Sequence, residues 1–315
     1  MATTETGSLT TPARDDRRQL VAPRGWRLSD APAAWLLILP VLVLFGVAVA
    51  FPLIDTIRLS FYDIRGLAPP RYVGLGNYQR LFADQDFRNT LTTTLVFTVG
   101  TTVLAVGIGW VIAMLCAFAP RRTLPFRVMI FSAFGVSEAV IGYMWITMLR
   151  PDSGGLLNSV IRALGFPDFA QPWLDDPNTA IWALIVAAAW GAAGLPLMLC
   201  FASVQAIPRS LLEAAHIDGA GPGAIMRHIM MPMSLPGVRV SIFITLLNAL
   251  RAFDIIYVLT GGGPVRSTET VGYFMYRESM TQFKLGYGAA ATVVLLVAVL
   301  IVSIPAIIQR TAGAR

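Results

Sequence analysis

The chain has 315 residues, 56% of them hydrophobic and only 13% charged, with a formal net charge of +6 and a mean hydropathy of +0.66. Soluble globular domains carry about 25% charged residues, so this composition excludes an ordinary soluble protein and points to the membrane. The positive balance does not indicate nucleic acid, because the basic residues form no patch interleaved with aromatics.

In chain order, residues 1–30 are rich in Thr, Arg and Asp, lack apolar periodicity, and read as a disordered tail. Six apolar runs follow, at 33–54, 91–118, 126–149, 179–204, 238–259 and 286–308. Each is long enough for the ~20 helical residues that cross a hydrocarbon core. None alternates in the ten-residue manner of a barrel strand, so the expected fold is all-α, with six transmembrane helices. The small residues of Gly46–Ala50 could mimic the end of a cleaved leader. The apolar stretch runs on to Ile54 behind a long polar tail, which favours a span.

An even number of spans puts both termini on one side. Arg121, Arg122 and Arg127 in the tight second connection mark that side as cytosolic. The outer segment 55–90 carries Tyr62, Tyr72, Tyr78, Phe82 and Phe87, which read as an interfacial belt or as a surface helix near Gly76 to Asp84. The outer loop 150–178, rich in Gly, Pro and Asp, reads as turns. The layout is therefore a tail (1–30), a first span with its external segment (31–90), a membrane core (91–308) and a cytosolic tail (309–315). Cys116 and Cys200 lie inside apolar runs and are expected to pack rather than to pair or bind metal.

Between the fourth and fifth runs the sequence turns polar and broken, from Glu213 to Gly237. Pro208 suits the first turn of a helix, and Arg209 and Glu213 are spaced i, i+4 on it. Gly219 stands where a left-handed cap would stop that helix. Pro222 opens a second short helix, which Pro232 and Pro236 are expected to end before the fifth span. The small side chains of Ala214 and Ala215 would let another protein approach closely. A connector lying idle on the membrane fits the same pattern.

Little enzyme chemistry is visible. Lys284, the single lysine, lacks the glycines of a phosphate loop, and His216 and His228 have no metal-ligand spacing. Charge inside spans is costly, by at least ~2.5 kcal/mol per residue at mid-depth. Glu138 in the third span, with Arg251 and Asp254 in the fifth, should therefore face a cavity or a partner. Asn248, Arg251 and Asp254 are three apart and would share an arc of about 120° on one helix. They could line a path for a hydroxyl-rich solute, with Tyr257 supplying an aromatic face. An Arg251–Asp254 ion pair that serves packing is the alternative.

The order Glu213, Ala214, Ala215, three residues, Gly219, nine residues, Ile229, then Pro232 three further on resembles the EAA signature of the permease subunits of ABC importers. Met231 stands where that family usually has Leu. The stretches 51–63, 72–87, 89–98, 251–270 and 285–291 resemble the carbohydrate-uptake branch of the family, of the maltose-permease first-subunit type. The resemblance covers most of the chain. It implies a coupling helix in which Glu213, Ala214, Ala215, Asp218, Gly219, Ile229 and Pro232 dock an ATPase, and an external loop at Gly261, Gly262, Gly263 and Pro264. It implies a non-catalytic subunit of a bacterial inner membrane, without a cofactor of its own. ATP and Mg would sit on two partner ATP-binding cassette subunits, beside a second permease of similar fold and an external solute-binding protein. The implied cargo is a sugar or sugar derivative; another solute, such as glycerol phosphate or a polyamine, is the alternative. A secondary transporter would want inverted repeats and broken helices at mid-membrane, and the sequence reveals neither.

Overall fold

A computed structural model describes residues 31–152 and 154–312. They belong to two compact units that divide after Leu53, each described by itself. The predicted tail 1–30 lies outside the described residues. The first unit holds α1 (Ala31–Phe45) and a π-helical turn, Gly46–Ala50, and the chain stays helical into α2 (Phe51–Leu59). Trp35–Leu59 thus forms one apolar helix of 25 residues.

In the second unit a short antiparallel pair, β1 (Tyr62–Asp63) and β2 (Arg71–Tyr72), sets Tyr62 opposite Tyr72. This pair and an isolated antiparallel bridge between Arg65 and Lys284 depart from the all-α expectation. The helix expected near Gly76 is present as α3 (Gly76–Ala83). It packs against the last helix of the chain with Leu81 fully buried, and the Asn77 amide donates to the Ser60 and Tyr62 carbonyls, both at 2.9 Å. It is therefore part of the core rather than a helix floating on the surface.

Asp84 then caps α4 (Gln85–Ala117) by accepting the Asp86 N–H at 2.9 Å, satisfying one of the orphan donors of a helix start. The remaining helices are α5 (Leu124–Phe134), α6 (Glu138–Met148), α7 (Leu156–Ala163), α8 (Pro177–Ala192), α9 (Gly194–Gln205), α10 (Arg209–Ile217), α11 (Pro222–Ile225), α12 (Met231–Leu250), α13 (Asp254–Leu259), α14 (Val271–Tyr276) and α15 (Leu285–Ala312). α15 extends past the expected span end at 308 into the predicted tail. At the centre, α4, α9 and α12 pack on one another. Cys116 and Cys200 are free and buried in that packing, as their apolar setting predicts.

Among the described residues, four helices are long and apolar enough to cross a membrane: Trp35–Leu59, Gln85–Ala117, Pro222–Leu250 and Leu285–Ile304. Two further candidates are bent pairs, α5 with α6 at 102° and α8 with α9 at 48°, giving four to six candidate spans. The straight third and fourth spans expected from hydropathy are therefore corrected. Gly135 to Ser137 interrupts the third, where Ser137 adopts an extended ψ of 138°. The fourth bends at Ala193, where Gly194 lets α5 come close: a Cβ there would lie 2.8 Å from the Phe131 Cα.

The fifth span is also displaced. The expected run 238–259 becomes a continuous helix, Pro222–Leu250, which includes a π-helical turn at Met226–Met230. In that turn the Met231 N–H bonds back to the Met226 carbonyl. A π-turn leaves a carbonyl of the ladder without a donor, and the next residue is Pro232, which has no N–H to give. Pro232 is therefore absorbed rather than a stop, and Pro236 lies inside α12. The same arrangement occurs in the first unit, where the π-turn at Gly46–Ala50 precedes Pro52. The loop 150–178 likewise holds α7 and a short 3-10 turn, Pro167–Phe169, where only turns were expected.

Candidate functional site: a coupling segment and a cavity at three helix breaks

The first candidate is α10 with its flanks. Pro208 precedes it in an extended conformation (ψ 131°), fixing where the helix begins. Gly219 ends it with φ +78°. The Gly219 N–H donates to the His216 carbonyl at 3.0 Å and the Ala220 N–H to Ala215 at 2.9 Å. This double bond pattern is the glycine-closed cap that leaves few orphan carbonyls. One face of α10, with Leu212 and Ala215, rests on a buried cluster of Met114, Val204, Ile207, Ile225 and Met230, joined by the half-buried Ile229. The other face presents Glu213, Ala214, Asp218 and Ile217, which is 87% exposed. The exposed isoleucine thus stands beside one small and two acidic residues.

Nearby, Arg127 is 7% exposed. Its guanidinium lies 3.7 Å from the Phe201 ring centre and donates to the Pro120 carbonyl at 2.7 Å. The sequence singled it out as a topology marker; here it also pins the tight connection between α4 and α5.

The second candidate is a cavity with about 100 Å³ of room for water. It is lined by Phe97 and Thr101 of α4, Phe134, Val136 and Glu138 at the first break, Gly191 and Ala192 at the second, and Asn248, Ala249, Ala252 and Ile255 at a third, where α12 gives way to α13. Three helix interruptions thus converge on one space. Glu138 and Asn248, which the sequence placed on different spans, meet here.

Arg251, Asp254 and Tyr257 do not line this cavity. The shared helix face expected for Asn248, Arg251 and Asp254 is corrected, because the helix stops at Arg251 (ψ 1°) and restarts at Asp254. Arg251 is exposed and donates to the Leu247 carbonyl at 3.2 Å and to Asn248 Oδ1 at 3.0 Å. Among the described residues no ion pair joins it to Asp254. Glu138 and Asp254 are each the first residue of a helix, α6 and α13. A helix N-terminus favours negative charge, which explains how acids are tolerated where hydropathy reads mid-span. Tyr257 belongs instead to an aromatic cluster with Phe253, Tyr273 and Tyr276, stacking on Phe253 at 5.5 Å.

The loop after α13 is tightly ordered. Gly261 and Gly262 take φ of +55° and +76°, and the bond from Gly263 to Pro264 is cis. Thr268 Oγ1 donates to the Gly263 carbonyl at 2.7 Å. Arg266 pairs with Asp86 at the start of α4, and the Val271 N–H donates to Thr94 Oγ1 at 2.9 Å. Beneath this loop the sequence reading missed an ion network. Glu269, 1% exposed, pairs with Arg277 at 2.7 Å; Arg277 also reaches Glu278 at 2.9 Å, which in turn holds Lys284 at 3.1 Å. Burial pushes the Glu269 carboxyl up, and the Arg277 guanidinium opposes that shift. The alternation of Glu269, Arg277, Glu278 and Lys284 was the available signal, but the residues are spread over two loops and the π-helical turn Arg277–Thr281 between them.

Among known proteins, residues 105–311 match the family described as binding-protein-dependent transport system inner membrane component. The chain is 30% identical to the sulfoquinovosyl glycerol transport system permease protein of Agrobacterium fabrum, covering 90% of this chain and 92% of that one. It is 32% identical to an sn-glycerol-3-phosphate transport system permease protein of the same species, covering 84% and 90%. A solved bacterial alginate ABC transporter, in complex with an alginate pentasaccharide-bound periplasmic protein, has a chain of the same fold. Its TM-score is 0.75 at 19% identity, over 88% of this chain and 94% of that one. The chain therefore belongs to the family of inner-membrane components of binding-protein-dependent transport systems.

Proposed function

We propose that this chain is a permease subunit of an ATP-driven importer for a sugar or sugar derivative, with a solute path through the cavity at the three helix breaks. The convergence of those breaks carries the reading. Interrupted helices expose backbone groups and accept charge only where they border a cavity or are buried in protein, and here they do so beside Glu138, Asn248, Thr101 and Thr245. Hydroxyl, amide and carboxyl groups of this kind suit a polyol. The single ionisable residue of the lining is an acid, which disfavours glycerol phosphate at this cavity even though one relative is named for it. Relatives named for a sulfoquinovosyl glycerol permease and an alginate transporter support a saccharide cargo.

In this reading six spans cross the membrane, with both termini cytosolic. α10 is the coupling helix, and residues 213–232 dock one of two ATPase subunits that bind ATP and Mg. A second permease completes the membrane pair, and an external binding protein delivers solute. The helix Pro222–Leu250 begins three residues after Gly219 and carries Thr245 and Asn248 at its far end. A push on α10 is then felt at the cavity through one rod of 29 residues, about 43 Å long at 1.5 Å per residue. Closure of the ATPases on ATP biases the inward–outward equilibrium, and hydrolysis releases it.

The test reads uptake and ATP hydrolysis together in the assembled transporter. Asn248→Ala and Glu138→Gln should lower uptake of the cognate sugar about tenfold, the order expected when a well-placed polar contact is lost, while ATP hydrolysis stimulated by the binding protein persists. Normal uptake in both variants would remove the cavity from the path.

A further inference from the structure

The external segment between α6 and α8 has its polarity inside out. α7 lasts only two turns, and its one fully buried side chain is polar, with Leu157 and Ile161 half-buried beside it. Asn158, 1% exposed, accepts from Trp173 Nε1 at 2.8 Å and from the Gln171 N–H at 3.3 Å. Its amide donates to the Gln171 carbonyl at 3.0 Å and the Arg150 carbonyl at 3.3 Å. One side chain therefore ties both ends of the segment together. The opposite face is apolar and exposed: Leu156, Val160 and Leu164 recur every fourth residue, so they lie within about 80° of one another on the helix. Phe166 and Phe169 follow, equally exposed and edge to face at 6.2 Å.

A soluble loop of this size would turn Asn158 outward and the leucines inward. The neighbourhood says what covers the apolar face. α7 begins eight residues after α6 ends at Met148, and α6 itself exposes Val140, Tyr143 and Met144 along its length. The exposed apolar surface of a bent candidate span is thus continued by α7 at its end. Short helices with one apolar face lie in the plane of the interface, with aromatic rings at headgroup level.

We propose that 155–169 is an interfacial element whose Leu156, Val160, Leu164, Phe166 and Phe169 sit in the outer leaflet of the bilayer, against phospholipid. This rests on the topology proposed above, which puts the end of α6 outside. The element anchors the external end of the bent α5–α6 pair, whose other half borders the cavity.

The experiment uses spin labels on single cysteines at Val160→Cys, Leu164→Cys and Arg162→Cys in the whole transporter, reconstituted into phosphatidylcholine vesicles. The native Cys116 and Cys200 are buried and give little background. Collisions with dissolved oxygen should exceed collisions with an aqueous nickel chelate at Val160 and Leu164, and the order should reverse by several-fold at Arg162. Equal nickel access at all three sites, without binding protein present, would overturn the proposal. Protection of Val160 and Leu164 that develops only when binding protein is added would also overturn it and assign the face to that protein. Topology is read separately. A membrane-impermeant thiol reagent should label Arg162→Cys in intact cells, and its failure to do so would count against the orientation rather than against lipid contact.

Discussion

α10 and α7 are two short helices set between spans, and they are closed in the same way. Gly219 and Gly165 take φ of +78° and +87°. In each cap the residue after the glycine bonds back to the third residue from the helix end, Ala220 to Ala215 at 2.9 Å and Phe166 to Ile161 at 3.1 Å. They differ in what lies beneath. α10 covers methionine and isoleucine and shows acids to its surroundings, whereas α7 covers an asparagine and shows leucine and phenylalanine. Cap chemistry sets where a helix stops. Which face turns inward is set separately, by the side chains beneath the helix.

The sharpest way to break this comparison is to strain both caps equally. A Cβ added at either glycine meets no neighbour within 4 Å, so the cost of valine is chiefly backbone strain, about 1–2 kcal/mol. Gly219→Val should bring uptake to background while the subunit remains in the membrane. Gly165→Val should leave most uptake intact. Equal loss in both would mean that strain, and not coupling, is being read. Next in size is Ile217→Asp. The side chain touches little of its own chain, so thermal stability should not move, but uptake and co-purification of the ATPase should fall about tenfold if the exposed isoleucine is a contact anchor. Unchanged co-purification would put the docking surface elsewhere on α10. The smallest effect is expected from Asn158→Ala. It strands the Trp173 and Gln171 N–H groups and two carbonyls at a cost of about 1–3 kcal/mol. That should appear as proteolytic sensitivity within 150–176, with near-normal uptake.

The same pair shows what could be read in advance. Around α10 the punctuation was plain, with Pro208 before it, Gly219 after it and a family spacing across it. α7 was equally punctuated, by Gly155, Gly165 and Pro167, with Leu156, Leu157, Val160, Ile161 and Leu164 in helical register. The Gly, Pro and Asp content of the surrounding loop hid that register, because composition averages over the period that matters. The helix breaks were harder. Nothing in 126–149 or 238–259 lowers hydropathy enough to announce a break. Glu138 and Asp254 were visible as costly charges, but not as the first residues of new helices. The ion network of Glu269, Arg277, Glu278 and Lys284 depends on contacts between two loops and a helical turn, which no local pattern encodes.

The π-turn at Met226–Met230 has a consequence for direction. It takes up one more residue than an α-helical turn needs, at the place where Pro232 has no N–H to give and its ring needs room. Deleting one residue from 226–230 would return the stretch to α-helical spacing, with little change of phase along Pro222–Leu250. The Pro232 ring would then press on the carbonyl four residues before it and kink the helix, so that the end at Pro222 and the end carrying Asn248 would no longer share one axis.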